Sequence, residues 1–123
     1  MKKEVVTSNT KSAHLLSQAI ISNGFIFVSG QVHAKPDLTL VHGTTTQKVT
    51  QIMNNIKTIL AAVDATLDNI VKVVIYVTDM SLMPELNEIY PTFFKKPLPV
   101  REAVCVKALP LGAEIEISVI AEQ

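Results

Sequence analysis

Arg101 and Glu116 are the residues of this chain with the clearest capacity for chemistry. A planar guanidinium can hold a carboxylate through two parallel hydrogen bonds. A carboxylate beside it can position a water or take its proton. Together they could bind a small organic acid and hydrolyse a bond next to its carboxyl group. Both fall in stretches that alternate in strand fashion. Residues 100–106 set Val100, Glu102, Val104 and Val106 on one side and Arg101, Ala103 and Cys105 on the other. Residues 113–121 set Ile115, Ile117, Val119 and Ala121 on one side and Glu114, Glu116, Ser118 and Ile120 on the other. The link through Leu109, Pro110, Leu111 and Gly112 is short enough for an antiparallel pair. A hairpin centred there puts Arg101 opposite Ser118 and Ala103 opposite Glu116. Arg101 and Glu116 are then diagonal neighbours about 7–8 Å apart. The alternative is a cross-strand ion pair on a solvated sheet face, a common and energetically minor arrangement.

The remaining candidates carry weaker signals. Ser29, Gly30 and Gln31 end a strand, where backbone amides could bind an anion, although a simple turn explains them as well. His14, His33 and His42 lie in expected loops with no metal-ligand spacing and read as exposed histidines. Cys105 is the single cysteine, so it makes neither an internal disulfide nor a Cys-rich zinc site. It has no adjacent histidine to lower its pKa and reads as an inert thiol. Walker, GxGxxG and GxSxG motifs are missing from the sequence.

Composition narrows the function classes. The 123 residues fit one domain, 1–123, and 48% of them are hydrophobic, enough for a proper core. Eleven Lys and Arg balance eleven Asp and Glu. A chain with no basic excess lacks the phosphate contacts behind general nucleic-acid affinity. Phe93 and Phe94 fit a helix core better than a base-stacking platform. Ser8, Asn9, Thr10, Lys11 and Ser12 stand where the apolar core of a signal peptide would have to be. The longest apolar run, Ile70–Val77, contains Lys72 and is too short to span a bilayer. The expectation is a soluble cytoplasmic protein with no membrane partner.

The elements that must position these residues follow from periodicity. Val5 and Val6 suggest a short first strand. Ala19–Ser22 and Phe25 to Val28 are apolar runs joined by Asn23 and Gly24, a strong hairpin signal. Residues 31–43 read mainly as loop. Val49, Ile52, Met53, Ile56, Ile59, Leu60 and Val63 form one helical stripe, with Gln51, Asn54, Asn55 and Lys57 off it. Ile70–Val77 reads as a buried strand. Leu82, Met83, Leu86, Ile89, Tyr90, Phe93 and Phe94 predict a second helix, stopped by Pro97 and Pro99. The order β-β-β-α-β-α-β-β predicts an α+β sandwich, one sheet with two helices on one face. The other face must meet water or another subunit.

Five short motifs, in order along nearly the whole chain, resemble the RidA (YjgF/YER057c/UK114) family. They are Ser17-Gln18-Ala19-Ile20, Val28-Ser29-Gly30-Gln31, Asn87-Glu88-Ile89-Tyr90, Pro99-Val100-Arg101, and Leu109-Pro110 with Ile115-Glu116-Ile117. The resemblance implies a homotrimer of chorismate-mutase-like subunits with ligand clefts at subunit interfaces. It implies hydrolysis of reactive 2-imino acids, in balance with their enamines, to 2-keto acids and ammonia. No metal or organic cofactor is required, because a protonated imine is already electrophilic. Arg101 matches the arginine that clamps the substrate carboxylate, and Glu116 the glutamate that handles the water. Ser29 and Gly30 match the pair lining the cleft, and Asn87 a cleft asparagine. Leu16 stands at the family's tyrosine position and brings no hydroxyl. Ala103 stands where a cysteine is frequent and offers only its backbone carbonyl. A rival reading is a trimer that binds keto acids without turnover. A third, a ribonuclease or translation inhibitor, fits poorly with zero net charge.

Overall fold

The computed structural model describes residues 1–7 and 14–123. The polar segment 8–12 therefore lies outside the described residues. Six strands form one sheet in the order β1-β2-β3-β6-β4-β5. These are β1 (Lys3–Val5), β2 (Ala19–Ser22), β3 (Phe25–Val32), β4 (Ile70–Val77), β5 (Val100–Cys105) and β6 (Ile115–Glu122). Asn23 and Gly24 take φ of 54° and 84°, the left-handed pair that a tight β2–β3 hairpin needs. Neighbours are antiparallel except β4 and β5, which run parallel.

Helix α1 (Thr45–Ala61) starts at a reciprocal cap. The Thr44 hydroxyl accepts the Gln47 amide at 3.1 Å, and the Gln47 side chain accepts the Thr44 amide at 2.9 Å. The expected stripe is the buried face. Val49, Ile52, Met53, Ile56 and Leu60 pack with Ile26, Val73, Ile75, Ile115 and Ile117 in one core. The second helix is shorter than its apolar pattern. Helix α2 spans Met83–Ile89, and 3₁₀ turns take Met80–Leu82 and Tyr90–Phe93. Pro91 has no amide hydrogen to continue the α ladder. Residues 31–43 are not all loop: β3 runs to Val32, and Ala34 bridges Leu40.

The expected β5–β6 hairpin does not form. β6 inserts between β3 and β4, and β5 lies beyond β4 at the sheet edge. A parallel β4–β5 pair needs a crossover connection, and α2 with its flanking turns supplies it.

Candidate active site

The sheet order decides where Arg101 and Glu116 go. Arg101 pairs with Val73, and Val73 pairs with Val119. Glu116 pairs with Tyr76. The two residues are therefore two strands apart and three residues out of register. At 4.7–4.9 Å between strands and about 3.3 Å per residue, their backbones stand roughly 14 Å apart. They also point to opposite faces. Arg101 shares the helix-covered face with buried Val73, whereas Glu116 shares the helix-free face with Tyr76. Diagonal contact within one chain is excluded.

Glu116 is built into a close backbone approach. β3 carries a bulge between Val28, opposite Val119, and Gln31, opposite Ile117. Ser29 and Gly30 are the two residues set against Ser118 there, so the strand end expected at this point is instead an irregularity within the strand. A Cβ on Gly30 would lie 2.8 Å from Glu116 Oε2 and 2.9 Å from its Cδ. Glycine is what lets the carboxylate lie against the strand. Among the described residues Glu116 makes no ion pair, and burial pushes its carboxyl above the usual range. That shift moves a carboxylate toward the range where it can both take and return a proton near neutral pH. Ser29 is fixed beside it. Its amide donates to the Gln18 carbonyl at 2.9 Å and its hydroxyl to the Ser17 carbonyl at 2.6 Å. Ser29 and Gly30, with half-exposed Leu16, line a cleft of about 650 Å³ that continues over Asn55 and Lys35.

Arg101 belongs to a second cluster. β5 is exposed along its whole length. The Arg101 guanidinium carbon lies 5.0 Å from the centre of the Tyr90 ring, and that ring packs on Phe94 at 5.0 Å. Asn87 is exposed three residues before Tyr90 on the same helical run. Ala103 lies two residues along β5 on the same face as Arg101. The sequence-predicted residues thus form two groups: Leu16, Ser29, Gly30 and Glu116 in one, Asn87, Arg101 and Ala103 in the other.

The histidine expectation needs correction. His14 and His42 are exposed, but His33 is 1% exposed. Its Nδ1 donates to the Val41 carbonyl at 2.9 Å, and its Nε2 accepts the Glu114 amide at 3.0 Å. Burial is the main force lowering its pKa. Lys48, also buried, pairs with Glu114, and that bond holds the Glu114 carboxyl below its usual range. The network ties the 33–41 loop and the start of α1 to the start of β6, two residues before Glu116. Lys48 lies four residues before Ile52 on the apolar stripe, and this spacing is the one trace of it in the sequence.

The family model described as endoribonuclease L-PSP matches residues 6–123. This chain belongs to that family, the RidA family that its motifs resemble. A RutC family protein of Aquifex aeolicus is 47% identical over 108 residues, covering 85% of this chain and 86% of its own. The 2-iminobutanoate/2-iminopropanoate deaminase of Rattus norvegicus is 37% identical over 125 residues, covering 100% of this chain and 91% of its own. The crystal structure of yeast Mmf1 superposes with a TM-score of 0.94 at 38% identity, over 100% of this chain and 99% of that one. Among the described residues no helix is long and apolar enough to cross a membrane.

Proposed function

We propose that this protein hydrolyses reactive 2-imino acids to 2-keto acids and ammonia, in clefts formed between copies of the chain in a homotrimer. The observation that carries the reading is a separation. Glu116 beside Gly30 and Arg101 on the free β5 edge are each placed for chemistry, yet they cannot meet within one chain. A neighbouring copy that sets its β5 edge near the first copy's Glu116 completes the site.

The helix-free face favours such a contact. Ile20, Phe27, Ile120, Lys72 and Val100 form one row across it by register. Phe25, Phe27, Val100 and Val104 are exposed there. Exposed apolar side chains on both β3 and β5 of one sheet face, with the Lys72–Glu102 pair between them, suit a contact with another copy.

In the joint cleft, Arg101 backed by Tyr90 clamps the substrate carboxylate, with Asn87 and Ala103 lining its half. Leu16, Ser29, Gly30 and Glu116 line the other half. Glu116 takes a proton from water as the water oxygen adds to the imine carbon and the nitrogen becomes an amine. It returns that proton to the nitrogen, and the carboxylate so freed takes the hydroxyl proton as the carbon–nitrogen bond breaks, the carbonyl forms and ammonia leaves. The name of the rat relative supports this substrate class. The cytoplasm as compartment belongs to the same proposal, although a yeast relative is named mitochondrial.

A coupled assay tests it. Threonine dehydratase releases 2-iminobutanoate in the presence of semicarbazide, which traps the imine. The protein should divert imine to keto acid and lower semicarbazone formation. Unchanged trapping at equimolar protein refutes the deaminase. Keto-acid binding without diversion leaves the binding-protein reading in its place.

A further inference from the structure

Two turns beside the cleft each hold a leucine where the backbone favours glycine. In the first, the Leu38 amide donates to the Lys35 carbonyl at 2.8 Å, and the Lys35 amide to the Thr39 carbonyl at 2.9 Å. Ala34 bridges Leu40 outside them. This is a short hairpin loop whose last turn residue is left-handed, the place glycine ordinarily takes. Leu38 occupies it with φ of 70°. In the second, the Gly112 amide donates to the Leu109 carbonyl at 3.3 Å around Pro110 and Leu111. Leu111 has φ of 62° and ψ of 10°. Proline followed by a left-handed residue is a type II turn, which favours glycine or asparagine at that position.

A left-handed leucine crowds its Cβ against the backbone and costs stability. Burial does not offset that cost here, since Leu38 is 40% and Leu111 55% exposed. Both line the same cleft as Leu16, Ser29 and Gly30. The strain therefore falls on side chains that shape a binding surface, which is where strained backbone concentrates.

We infer that Leu38 and Leu111 are specificity-determining residues that, with Leu16, select 2-imino and 2-keto acids bearing longer aliphatic side chains. The polar end of the acid lies toward Ser29 and Gly30, against which the Glu116 carboxylate packs, and its hydrocarbon chain lies against the three leucines. The assignment of the acid group rests on the function proposed above, whereas the apolar wall rests on the cleft itself.

The test is calorimetric titration of pyruvate, 2-oxobutanoate and 2-oxohexanoate into the wild type and the Leu38→Gly, Leu111→Gly double variant, beside the imine assay. A buried methylene tightens binding by about fourfold, so 2-oxohexanoate should bind the wild type at least about tenfold more tightly than pyruvate. In the double variant that ratio should fall below about threefold, while the melting temperature holds or rises because glycine accepts left-handed backbone. Equal affinities across the series in the wild type overturn the inference, as does a variant that keeps the ratio. A variant that melts lower and loses all three acids alike makes the leucines structural and also overturns it. Chain-length selectivity without imine hydrolysis refutes the proposed reaction and upholds the inference. Hydrolysis without selectivity does the reverse, and no binding of any acid together with unchanged semicarbazide trapping overturns both.

Discussion

Mixing two impaired variants asks whether Arg101 and Glu116 act across a subunit boundary. Within one chain they stand roughly 14 Å apart at the backbone, from two strand spacings and three residues of register. They also face opposite sides of the sheet. Arg101→Ala removes a charge-assisted clamp worth roughly 1.5–3 kcal/mol and should weaken 2-oxobutanoate binding at least about tenfold. Glu116→Gln keeps the shape but cannot accept a proton, and should slow imine hydrolysis by about 10²–10⁴-fold. In a closed trimer each site takes Arg101 from one copy and Glu116 from the next. Any trimer containing both variants then has one intact site in three. Random reassembly from equal amounts makes about three quarters of the trimers mixed, so activity should return to about one quarter of wild type. The assay is refolding of the two variants together and apart from denaturant, followed by coupled imine hydrolysis. If the mixture shows only the sum of the separate variants, although labelled subunits have exchanged, the site is not shared and the geometric argument fails.

Three further outcomes follow from the same contacts. Gly30→Ala should displace the flexible end of Glu116, whose Oε2 lies 2.8 Å from the new Cβ, and so cut imine hydrolysis at least about tenfold. Its circular-dichroism melt should stay close to wild type, and a large loss of stability with activity retained would contradict that role for the glycine. His33, lowered by burial from an ordinary value of 6.5, favours folding most above that value. Protonation then favours the unfolded chain, so the unfolding free energy from urea titrations should drop as pH falls below 6.5, by at most about 1.4 kcal/mol per pH unit from this group; a His33→Gln variant with the same pH slope would show that His33 is not the cause. Sedimentation equilibrium at micromolar concentration should give three times the subunit mass, and a monomer would remove the shared cleft.

Local physics made most of the elements legible in the sequence. The apolar stripe from Val49 to Leu60 predicts the buried face of α1, because helix periodicity needs no distant partner. Asn23 and Gly24 mark the hairpin turn because few other residues take its left-handed angles. Strand alternation also sorts the side chains of β5 and β6 onto their two faces, but not those of β3, where the bulge at Ser29 and Gly30 breaks the period. The apolar pattern overextends the second helix because Tyr90, Phe93 and Phe94 continue its spacing past Pro91, and core packing does not require α geometry.

Tertiary structure decided how those faces relate. Alternation says that Arg101 is opposite in sense to Val100, and Glu116 to Ile115, but not which of those faces the helices cover. β5 carries apolar residues on both sides and is exposed throughout, so its pattern contains no burial signal to orient it. Only the placement of β6 between β3 and β4 sets Glu116 against Gly30 and sends Arg101 to the far edge over Tyr90. The same long-range packing buries His33 and Lys48, whose residue types by themselves argue for the surface. Strand order and burial depend on contacts between residues distant in sequence, so local periodicity and turn chemistry could identify the parts but not join them.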